Sequence, residues 1–497
     1  MAAVSGIVRV VRIAVISRII MVAMILLWRF FLHPYDTSAY INPPCLSGVP
    51  QRSNPPMWPH VGSVIEGSIV WDSVYFVRIA ECGYEYEQTY AFFPILPVLI
   101  SLMSRSVFAP LIPIVGYRAV LGLSGYVLNN IAFVLAAMYF YRLSVLVLKE
   151  PAAAMRASVL FCFNPASIFY SSVYTESLYA LFSFGGLYNL FTGYNTIAVV
   201  FFALSGFARS NGVLNAGYFC FQTMHIVYKS IFQMNRPIFA LQEIVVAVLR
   251  SVCIFSPFIA FQTYGYYNIC TQPGIATDNL SPWCKARVPL LYDYLQSHYW
   301  GVGFLRYFQL KQLPNFLLAS PILSLAVCSI VQYAKVRPDL LYSLGFQGST
   351  KEKDNASLFI TSGVAQKFDD NFDVYTSVSS KVVKGNMIQR LNRKEKQPSF
   401  GYSSLPQAKN HSQGKQGYFS FSILPFIYHL TFLTFTAFFV MHVQVASRFL
   451  SASPPIYWFA SYVLSFYNKR SGYMIWAYFS AYILLGSLLF SNFYPFT

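Results

Sequence analysis

Four carboxylates lie in the stretch Val70–Pro94, where a polar loop meets an apolar run. They are Asp72, Glu81, Glu85 and Glu87. Carboxylates at the edge of an apolar run are energetically unfavourable, so such a cluster indicates catalysis or binding. Asp72 stands between Trp71 and Tyr75 and is the strongest candidate for chemistry. The two later glutamates are explained equally well by a solvated loop.

Further polar residues stand where other apolar runs begin or end. Glu176 begins one run, Arg209 and Asn211 separate two others, and His298 and Trp300 close a second polar loop. An arginine at a membrane boundary commonly has only a structural role, with its side chain extended to the lipid phosphates. Its functional alternative is a clamp on a phosphate-bearing lipid, because guanidinium matches phosphate geometry. Helix capping, or pairing with the arginine, would also explain the glutamate.

Together these residue types suit transfer of a sugar from a lipid phosphate. A positioned carboxylate such as Asp72 can take the proton of an acceptor hydroxyl, for a rate gain of about 10²–10⁴. A cation such as Arg209 can stabilise the departing phosphate. Tryptophan and tyrosine faces stack on sugar rings and line membrane interfaces.

The composition is that of a membrane protein. Of 497 residues, 56% are hydrophobic and only 11% are charged, with a mean hydropathy of +0.48. In a bilayer, backbone groups must pair within their own segment, so spans of this kind are helices. We therefore predict an all-α polytopic bundle of roughly 8–12 transmembrane helices. The net charge of +17 is typical of basic residues that orient a chain in the membrane and contact lipid headgroups. No segment of the sequence resembles a nucleic-acid-binding module.

Changes in composition divide the chain into three parts. The predicted parts are a membrane core at 1–332 with polar loops at 33–90 and 262–315, a hydrophilic insert at 333–417, and C-terminal membrane helices at 418–497. From Lys335 to Lys415, 13 Lys and Arg stand against 7 Asp and Glu, which predicts a cytosolic, disordered insert. The sequons at Asn355 and Asn410 would be glycosylated only if this insert were luminal.

Basic residues near the N-terminus predict the orientation. Arg9, Arg12 and Arg18 precede the apolar run Ile19–Leu32, and no small-residue cleavage site follows that run. We therefore predict an uncleaved first helix whose N-terminus is cytosolic, which makes loop 33–90 luminal.

One turn conflicts with a strict count of membrane crossings. The basic residues of Tyr141–Arg156 indicate a cytosolic turn, whereas the count puts it outside. Either the run Ala91–Val115 re-enters without crossing, or a later run does not span.

Cysteines and histidines form no metal-binding motif. Four cysteines lie in polar loops, at Cys45, Cys82, Cys270 and Cys284. In an oxidising lumen local bridges such as Cys270–Cys284 are plausible, with free thiols as the alternative. His429 and His442 suit packing or snorkelling. No nucleotide-binding motif occurs, and we predict no cofactor. Whether Asp72, Glu81 and Glu85 hold a divalent metal ion is left open by the sequence.

Motifs distributed along the chain resemble those of the GPI mannosyltransferase 2 (PIG-V) family. They are Trp71-Asp72, Gly83-Tyr84, Ala91-Phe-Phe-Pro94, Tyr174-Thr-Glu-Ser-Leu178, Arg209-Ser-Asn-Gly212, Ser281-Pro-Trp-Cys284, Gln296-Ser-His-Tyr-Trp300, Pro314-Asn-Phe-Leu317 and Ser453-Pro-Pro-Ile-Tyr-Trp458. They occur in order and cover nearly the whole chain apart from the insert.

The resemblance implies a multi-pass GT-C glycosyltransferase of the endoplasmic reticulum membrane with a luminal active site. Such enzymes transfer the second mannose, in α-1,6 linkage, from dolichyl-phosphate mannose to a mannosylated GPI precursor. A single inverting displacement is sufficient for this reaction. The implied partners are these two lipids and the membrane, with room for a small accessory subunit. Asp72 matches the catalytic acid, and the substrate-binding candidates are Trp71, Glu81, Glu176, Arg209, Asn211, His298 and Trp300.

Three rival functions stay open at this level. A lipid or solute transporter would explain the helices and the charges at Glu176 and Arg209. However, the inverted repeat common among transporters is not visible. A GT-C mannosyltransferase with another acceptor is a second alternative. A non-catalytic subunit is the third, and it predicts that Asp72→Ala is tolerated.

Overall fold

The computed structural model describes residues 2–32, 35, 45–46, 55–271, 281–354 and 417–494. Within these ranges the backbone forms α-helices and short 3-10 or π segments, with no strand. The all-α prediction is therefore confirmed.

The helices are numbered in chain order. Up to residue 208 they are α1 (Ala2–Phe31), α2 (Pro59–Gly67), α3 (Asp72–Cys82), α4 (Ile95–Arg105), α5 (Ile112–Val115), α6 (Tyr117–Leu148), α7 (Pro151–Cys162), α8 (Ser167–Ser171), α9 (Glu176–Phe191) and α10 (Asn195–Ala208). Beyond it they are α11 (Ala216–Tyr228), α12 (Pro237–Cys270), α13 (Leu291–Tyr299), α14 (Leu313–Val336), α15 (Pro338–Tyr342), α16 (Thr350–Asp354), α17 (Leu424–Phe439), α18 (Ala446–Leu450), α19 (Pro454–Phe466) and α20 (Lys469–Ser491).

Fewer helices reach membrane-spanning length than the apolar runs predict. By length and composition, six helices of the described residues could cross a bilayer, or seven if the bent pair α4–α5 counts as one. Several shorter runs fold as short helices instead. Helices α9 and α10 have 16 and 14 residues, or about 24 and 21 Å of rise, less than the roughly 30 Å of a hydrocarbon core.

The main core lies where α6, α7, α9 and α19 meet. It contains many aromatic rings, among them Phe133 and Phe161, which stack with centroids 5.1 Å apart. The indole of Trp458 is 1% exposed and donates a hydrogen bond to Ser144 Oγ over 2.8 Å. Burying each such ring supplies a large apolar contact area, which stabilises the bundle.

Helices α1 and α6 run antiparallel, which defines the two ends of the bundle. Gly6 near the start of α1 packs against Tyr141 late in α6. At the opposite end, which we call the loop end, Arg29 of α1 lies beside Gly67. There the hydroxyl of Tyr126 donates to the carbonyl of Ser68 over 2.9 Å.

The bent pair α4–α5 begins and finishes at the loop end. Its two helices meet at an angle of 68°. Helix α4 follows Phe92 and Phe93, and α5 ends at Val115, whose carbonyl packs against Gly62 of α2. Both ends of the run Ala91–Val115 therefore lie at the loop end, as the first of the two alternatives above predicts. The basic turn between α6 and α7 consequently lies at the same end as the N-terminus.

The first helix is longer than its apolar run predicts. Helix α1 begins at Ala2, whereas the predicted span begins at Ile19. Arg9 and Arg12 are exposed, but Arg18 is only 3% exposed and lies against the backbone of residues 162–171. Arg18 is thus not a flanking charge. Hydrogen bonds to carbonyl groups offset the cost of its burial.

The predicted insert begins with a helical segment. Arg337 follows α14 and pairs with Asp339 and Glu352, each over 3.2 Å. It also donates to the carbonyl of Phe419, so α15 and α16 are attached to the bundle. Residues 355–416, including both sequons, lie outside the described residues. Helix α14 has 24 residues, about 36 Å, and separates this segment from the loop end.

Candidate active site

A cavity of about 400 Å³ opens at the loop end of the bundle. Its lining includes Trp71, Asp72, Glu176, Arg209, Asn211, Trp300, His442 and Arg448. The first six are among the sequence-predicted site residues, contributed by segments that are far apart in the chain. Helix α9 begins at this cavity with Glu176, and α10 ends at it just before Arg209.

Asp72 is the first residue of α3. Its carboxylate therefore lies at the positive end of the helix dipole. The backbone N–H of Asp72 donates to the hydroxyl of Tyr174 over 3.1 Å. Burial raises the pKa of the Tyr174 phenol well above its usual value, so this hydroxyl stays protonated at neutral pH. The side chain of Asp72 is 36% exposed and is accessible from the cavity.

Trp71, immediately before Asp72, has a left-handed backbone conformation. Its φ is 54° and its ψ is −133°, which is unfavourable for a residue with a side chain. Such conformations cost about 1–3 kcal/mol and persist where the surroundings fix them, often at functional sites. Here the chain turns sharply into α3 and directs both residues to the cavity wall.

Arg448 connects the two acids of the cavity. Its Nη1 lies 2.8 Å from Oδ2 of Asp72, and its Nε lies 3.2 Å from Oε1 of Glu176. The rings of Phe169 and Tyr174 flank the guanidinium, with centroids 5.3 and 5.4 Å from Cζ. Burial lowers the pKa of Arg448, but Glu176 and Asp72 more than reverse this effect and raise it above its usual value.

Glu176 is the most buried acid of the site. It is 3% exposed, begins α9, and pairs through Oε1 with both Arg209 and Arg448. The predicted Glu176–Arg209 pair is thus present, with a second arginine added. Glu176 Oε2 and Asn211 Oδ1 are buried and have no hydrogen-bond partner among the described residues. Buried acceptors of this kind normally have a donor, so the site has capacity for hydroxyl groups of a ligand.

Gly212 fixes the link that carries Arg209 and Asn211. A Cβ atom at this position would lie 2.2–2.3 Å from backbone atoms of Ser205 and Gly206. Only glycine permits so close an approach. The 3-10 segment Ser210–Asn215 therefore packs directly on the end of α10.

Two predicted site residues lie away from the cavity. Glu81 pairs with Arg118 over 3.4 Å. His298 is exposed and stacks on Tyr294, with ring centroids 4.9 Å apart. In contrast, His442, expected to pack or snorkel, lines the cavity and stacks on Tyr307.

The acids considered for a divalent metal serve separate ion pairs. Asp72 pairs with Arg448, Glu81 with Arg118, and Glu85 with Arg78 over 2.6 Å. An arginine beside each carboxylate places positive charge where a cation would lie. Cys45 and Cys82 lie close to Glu85, but the two sulfurs are joined in a disulfide.

Two disulfides and one glutamate join the loops at this end. Cys45 bonds Cys82 at the end of α3, and Cys270 bonds Cys284 as the sequence suggested. Glu87 accepts hydrogen bonds from the Ser281 hydroxyl, the Trp283 indole and the Tyr299 hydroxyl, over 2.7, 2.7 and 2.8 Å. The solvated-loop interpretation of Glu87 is therefore wrong, because this carboxylate connects the two polar loops.

Comparison with known proteins identifies the family of this chain. The family described as Mannosyltransferase (PIG-V) matches residues 7–497. The chain belongs to the PIG-V mannosyltransferase family. It is therefore a membrane-embedded glycosyltransferase, and the cavity residues belong to the matched region.

Relatives of the PIG-V family cover most of the chain. GPI alpha-1,6-mannosyltransferase 2 of Homo sapiens is 32% identical over 425 residues, which are 81% of this chain and 74% of the relative. The Mus musculus protein of the same name is 31% identical and covers 92% of this chain and 83% of its own length. GPI mannosyltransferase 2 of Drosophila pseudoobscura pseudoobscura is 29% identical over 98% and 99%.

Among solved structures, a match is the archaeal oligosaccharyltransferase AglB from Archaeoglobus fulgidus, in complex with an inhibitory peptide and a dolichol-phosphate. The TM-score is 0.37 with 12% sequence identity, over 98% of this chain and 56% of that chain.

Arg448 is the main site residue of this PIG-V family member that sequence reasoning missed. It lies five positions before the motif that begins at Ser453, in an apolar context without acidic neighbours. A cation between two apolar runs is the same signal that identified Arg209. Applied to residues 440–453, it would have identified Arg448 as well.

Proposed function

We propose that this chain transfers the second mannosyl residue, in α-1,6 linkage, onto a GPI-anchor precursor. The observation that carries the proposal is the convergence of Asp72, Glu176, Arg209 and Arg448 on one cavity. Relatives named GPI alpha-1,6-mannosyltransferase 2 support the choice of sugar, acceptor and linkage.

The proposed donor is dolichyl-phosphate mannose. Arg209 uses Nη1 and Arg448 uses Nη1 and Nε in their ion pairs, so each guanidinium retains N–H groups for a phosphate. Arginine presents its N–H groups in a planar fork that suits phosphate oxygens. The two cations would stabilise the negative charge that develops on the leaving dolichyl phosphate.

The proposed reaction is a single displacement with inversion. The 6-hydroxyl oxygen of the acceptor attacks C1 of the mannosyl group, and the bond between C1 and the phosphate oxygen breaks. Asp72 takes the hydroxyl proton, and dolichyl phosphate leaves with the bonding electron pair. Because the donor is β-linked, inversion yields the α-linkage without a covalent enzyme intermediate.

Two further roles concern the sugar. Glu176 Oε2 and Asn211 Oδ1 are the buried acceptors without partners, and they would accept hydrogen bonds from sugar hydroxyls. Trp71 and Trp300 line the same cavity and would stack on sugar rings. Glu81 and His298 could contact substrate only beyond the cavity.

We place the site on the luminal side of the endoplasmic reticulum membrane. Both disulfides lie at the loop end, beside the cavity, and disulfides persist in oxidising compartments. The exposed Arg9 and Arg12 lie at the opposite end, in agreement with the excess of basic residues on cytosolic sides.

Complementation tests the proposal. A cell line that cannot add the second GPI mannose receives either the wild-type chain or Asp72→Asn at matched protein level. We expect the wild-type chain to restore mature anchors and Asp72→Asn to leave the one-mannose intermediate. Normal anchors with Asp72→Asn would exclude Asp72 as the base. Persistence of the one-mannose intermediate with the wild-type chain at normal protein level would contradict the proposed acceptor.

A further inference from the structure

Arg18 is a buried arginine whose hydrogen bonds all end on neutral groups. Its Nη1 donates to the carbonyl of Ser167 and the hydroxyl of Ser171, each over 3.0 Å. Its Nη2 donates to the carbonyl of Cys162 over 3.2 Å and to Ser167 Oγ over 3.3 Å. Its Nε donates to Ser17 over 3.3 Å. No carboxylate of the described residues lies within ion-pair distance of Arg18.

Four of these acceptors lie at the junction between α7 and α9. Helix α7 ends at Cys162, the short helix α8 follows, and α9 begins only at Glu176. We call residues 163–175 the break segment. Non-helical backbone leaves carbonyl groups without helical partners, which is unfavourable inside a membrane protein unless other groups satisfy them. Arg18 supplies those donors, and its charge complements the negative end of α7.

The break segment contacts both partners of the Asp72–Arg448 pair. The hydroxyl of Tyr174 accepts the N–H of Asp72. The hydroxyl of Tyr170 bonds Ser451 Oγ over 2.9 Å, and Ser451 Oγ donates to the carbonyl of Arg448 over 2.6 Å. A displacement of the break segment would therefore change the positions of both the acid and its cation.

We propose that Arg18 is a positioning residue for mannosyl transfer. It fixes the break segment, through which Tyr174 and Tyr170 set the separation of Asp72 and Arg448. Arg18 itself is remote from the reacting atoms. The inference rests on the proposed function only for its kinetic test.

Arg18→Lys preserves the charge but loses the planar fork that reaches three acceptors of the break segment and the carbonyl of Cys162. We expect kcat of mannosyl transfer to fall about 10- to 100-fold, because small displacements at a catalytic group have effects of this size. KM for the donor should change by less than about twofold. Arg12→Lys, an exposed arginine on the same helix, is the matched control and should behave as wild type. A loss confined to KM, or proportional to protein level, would overturn the proposal.

A double-mutant cycle tests the route through Tyr174. Tyr174→Phe removes the hydroxyl that accepts the Asp72 N–H and should itself lower kcat. In that background we expect Arg18→Lys to lower kcat by less than about threefold further, because both changes disturb one connection. Fully multiplicative losses would exclude this route. If Arg18→Lys does not accumulate, Ser171→Ala removes a single acceptor of Arg18 and should lower kcat in the same direction, by a smaller factor.

Hydrogen exchange of the purified chain provides a readout without substrate. In Arg18→Lys we expect faster amide exchange in α3 and α18, with α12 unchanged. Unchanged exchange in α3 and α18 would overturn the positioning role. If the wild-type chain transfers no mannose, the proposed function fails, whereas this measurement still decides the role of Arg18.

Discussion

Arg448 Nη1 lies 2.8 Å from Asp72 Oδ2, although 376 positions separate the two residues. The same guanidinium contacts Glu176 through Nε over 3.2 Å. One cation therefore serves two acids that would otherwise repel each other in a partly buried cavity. The arrangement keeps Asp72 close to Glu176 and Arg209 without a direct contact between the acids.

Replacing Arg448 tests whether its shape matters in addition to its charge. We expect Arg448→Lys to lower mannosyl transfer about 10- to 100-fold, because an ammonium group cannot contact both acids in the way that the fork does. Arg448→Gln should lower it further, since both carboxylates then lack this cation. Transfer is measured in membranes at matched protein level, with the exposed Arg306→Lys as control. Equal activity of Arg448→Lys and wild type would contradict the bridging role.

Gly212 and Gly217 provide a matched pair of glycine substitutions. Gly212→Ala would place Cβ 2.2–2.3 Å from backbone atoms, so we expect a loss of about 3 kcal/mol or more in the free energy of unfolding. Nothing lies within 4 Å of a Cβ at Gly217 in α11, so Gly217→Ala should be neutral or mildly stabilising. Thermal unfolding in detergent compares the two. Similar unfolding midpoints would show that the 205–212 contact is loose.

Thiol labelling tests the disulfides. The structure has four bridged cysteines and four free ones, Cys162, Cys220, Cys253 and Cys328. A maleimide added to the denatured, unreduced protein should therefore modify half of the eight cysteines, and reduction should expose the rest. Cys270→Ser should make one additional thiol reactive and destabilise the chain by about 2–3 kcal/mol. Full labelling without reduction would contradict the pairing.

We expect His442 to contribute to the loss of folding stability at low pH. Burial lowers the pKa of His442 below its usual 6.5, partly offset by a backbone hydrogen bond with Trp300. The unfolded chain then binds this proton more readily, so stability falls as the pH drops below about 6.5. The melting midpoint of His442→Gln should fall less between pH 7 and 5 than that of wild type. His225, whose pKa is lowered to about 4, contributes the same way and remains in the variant.

The exposed His298→Gln is the control for this comparison. It should follow the wild-type curve. If His442→Gln has the same acid slope as His298→Gln, the protonation of His442 does not limit stability.

The sequence predicted the helical class and six residues of the cavity wall because those features depend on local signals. Asp72, Glu176 and Arg209 were recognisable as charges at the borders of apolar runs, where burial is unfavourable without a purpose. Glu81 carries the same signal, yet it pairs with Arg118, since a border position does not specify which way a side chain points.

Features that depend on distant contacts were not predictable from local patterns. The apolar run of α9 is like that of a spanning helix, but only packing shows that it begins at the cavity. Arg18 has the pattern of a cytosolic flank, and only the break segment explains its burial. The return of α4–α5 to the loop end is shown only by the contact of Val115 with Gly62.

The Asp72–Arg448 pair also has a consequence for biosynthesis. A ribosome adds about 5–20 residues per second, so the 376 positions between the two residues correspond to roughly 20–75 s of synthesis. During that interval the acid has emerged without its partner cation, and the cavity has no wall from α18. The active site is therefore one of the last parts of the chain to assemble, after most helices have been inserted. A ribosome that stalls in the insert would leave a protein with most of its membrane helices and no Asp72–Arg448 pair.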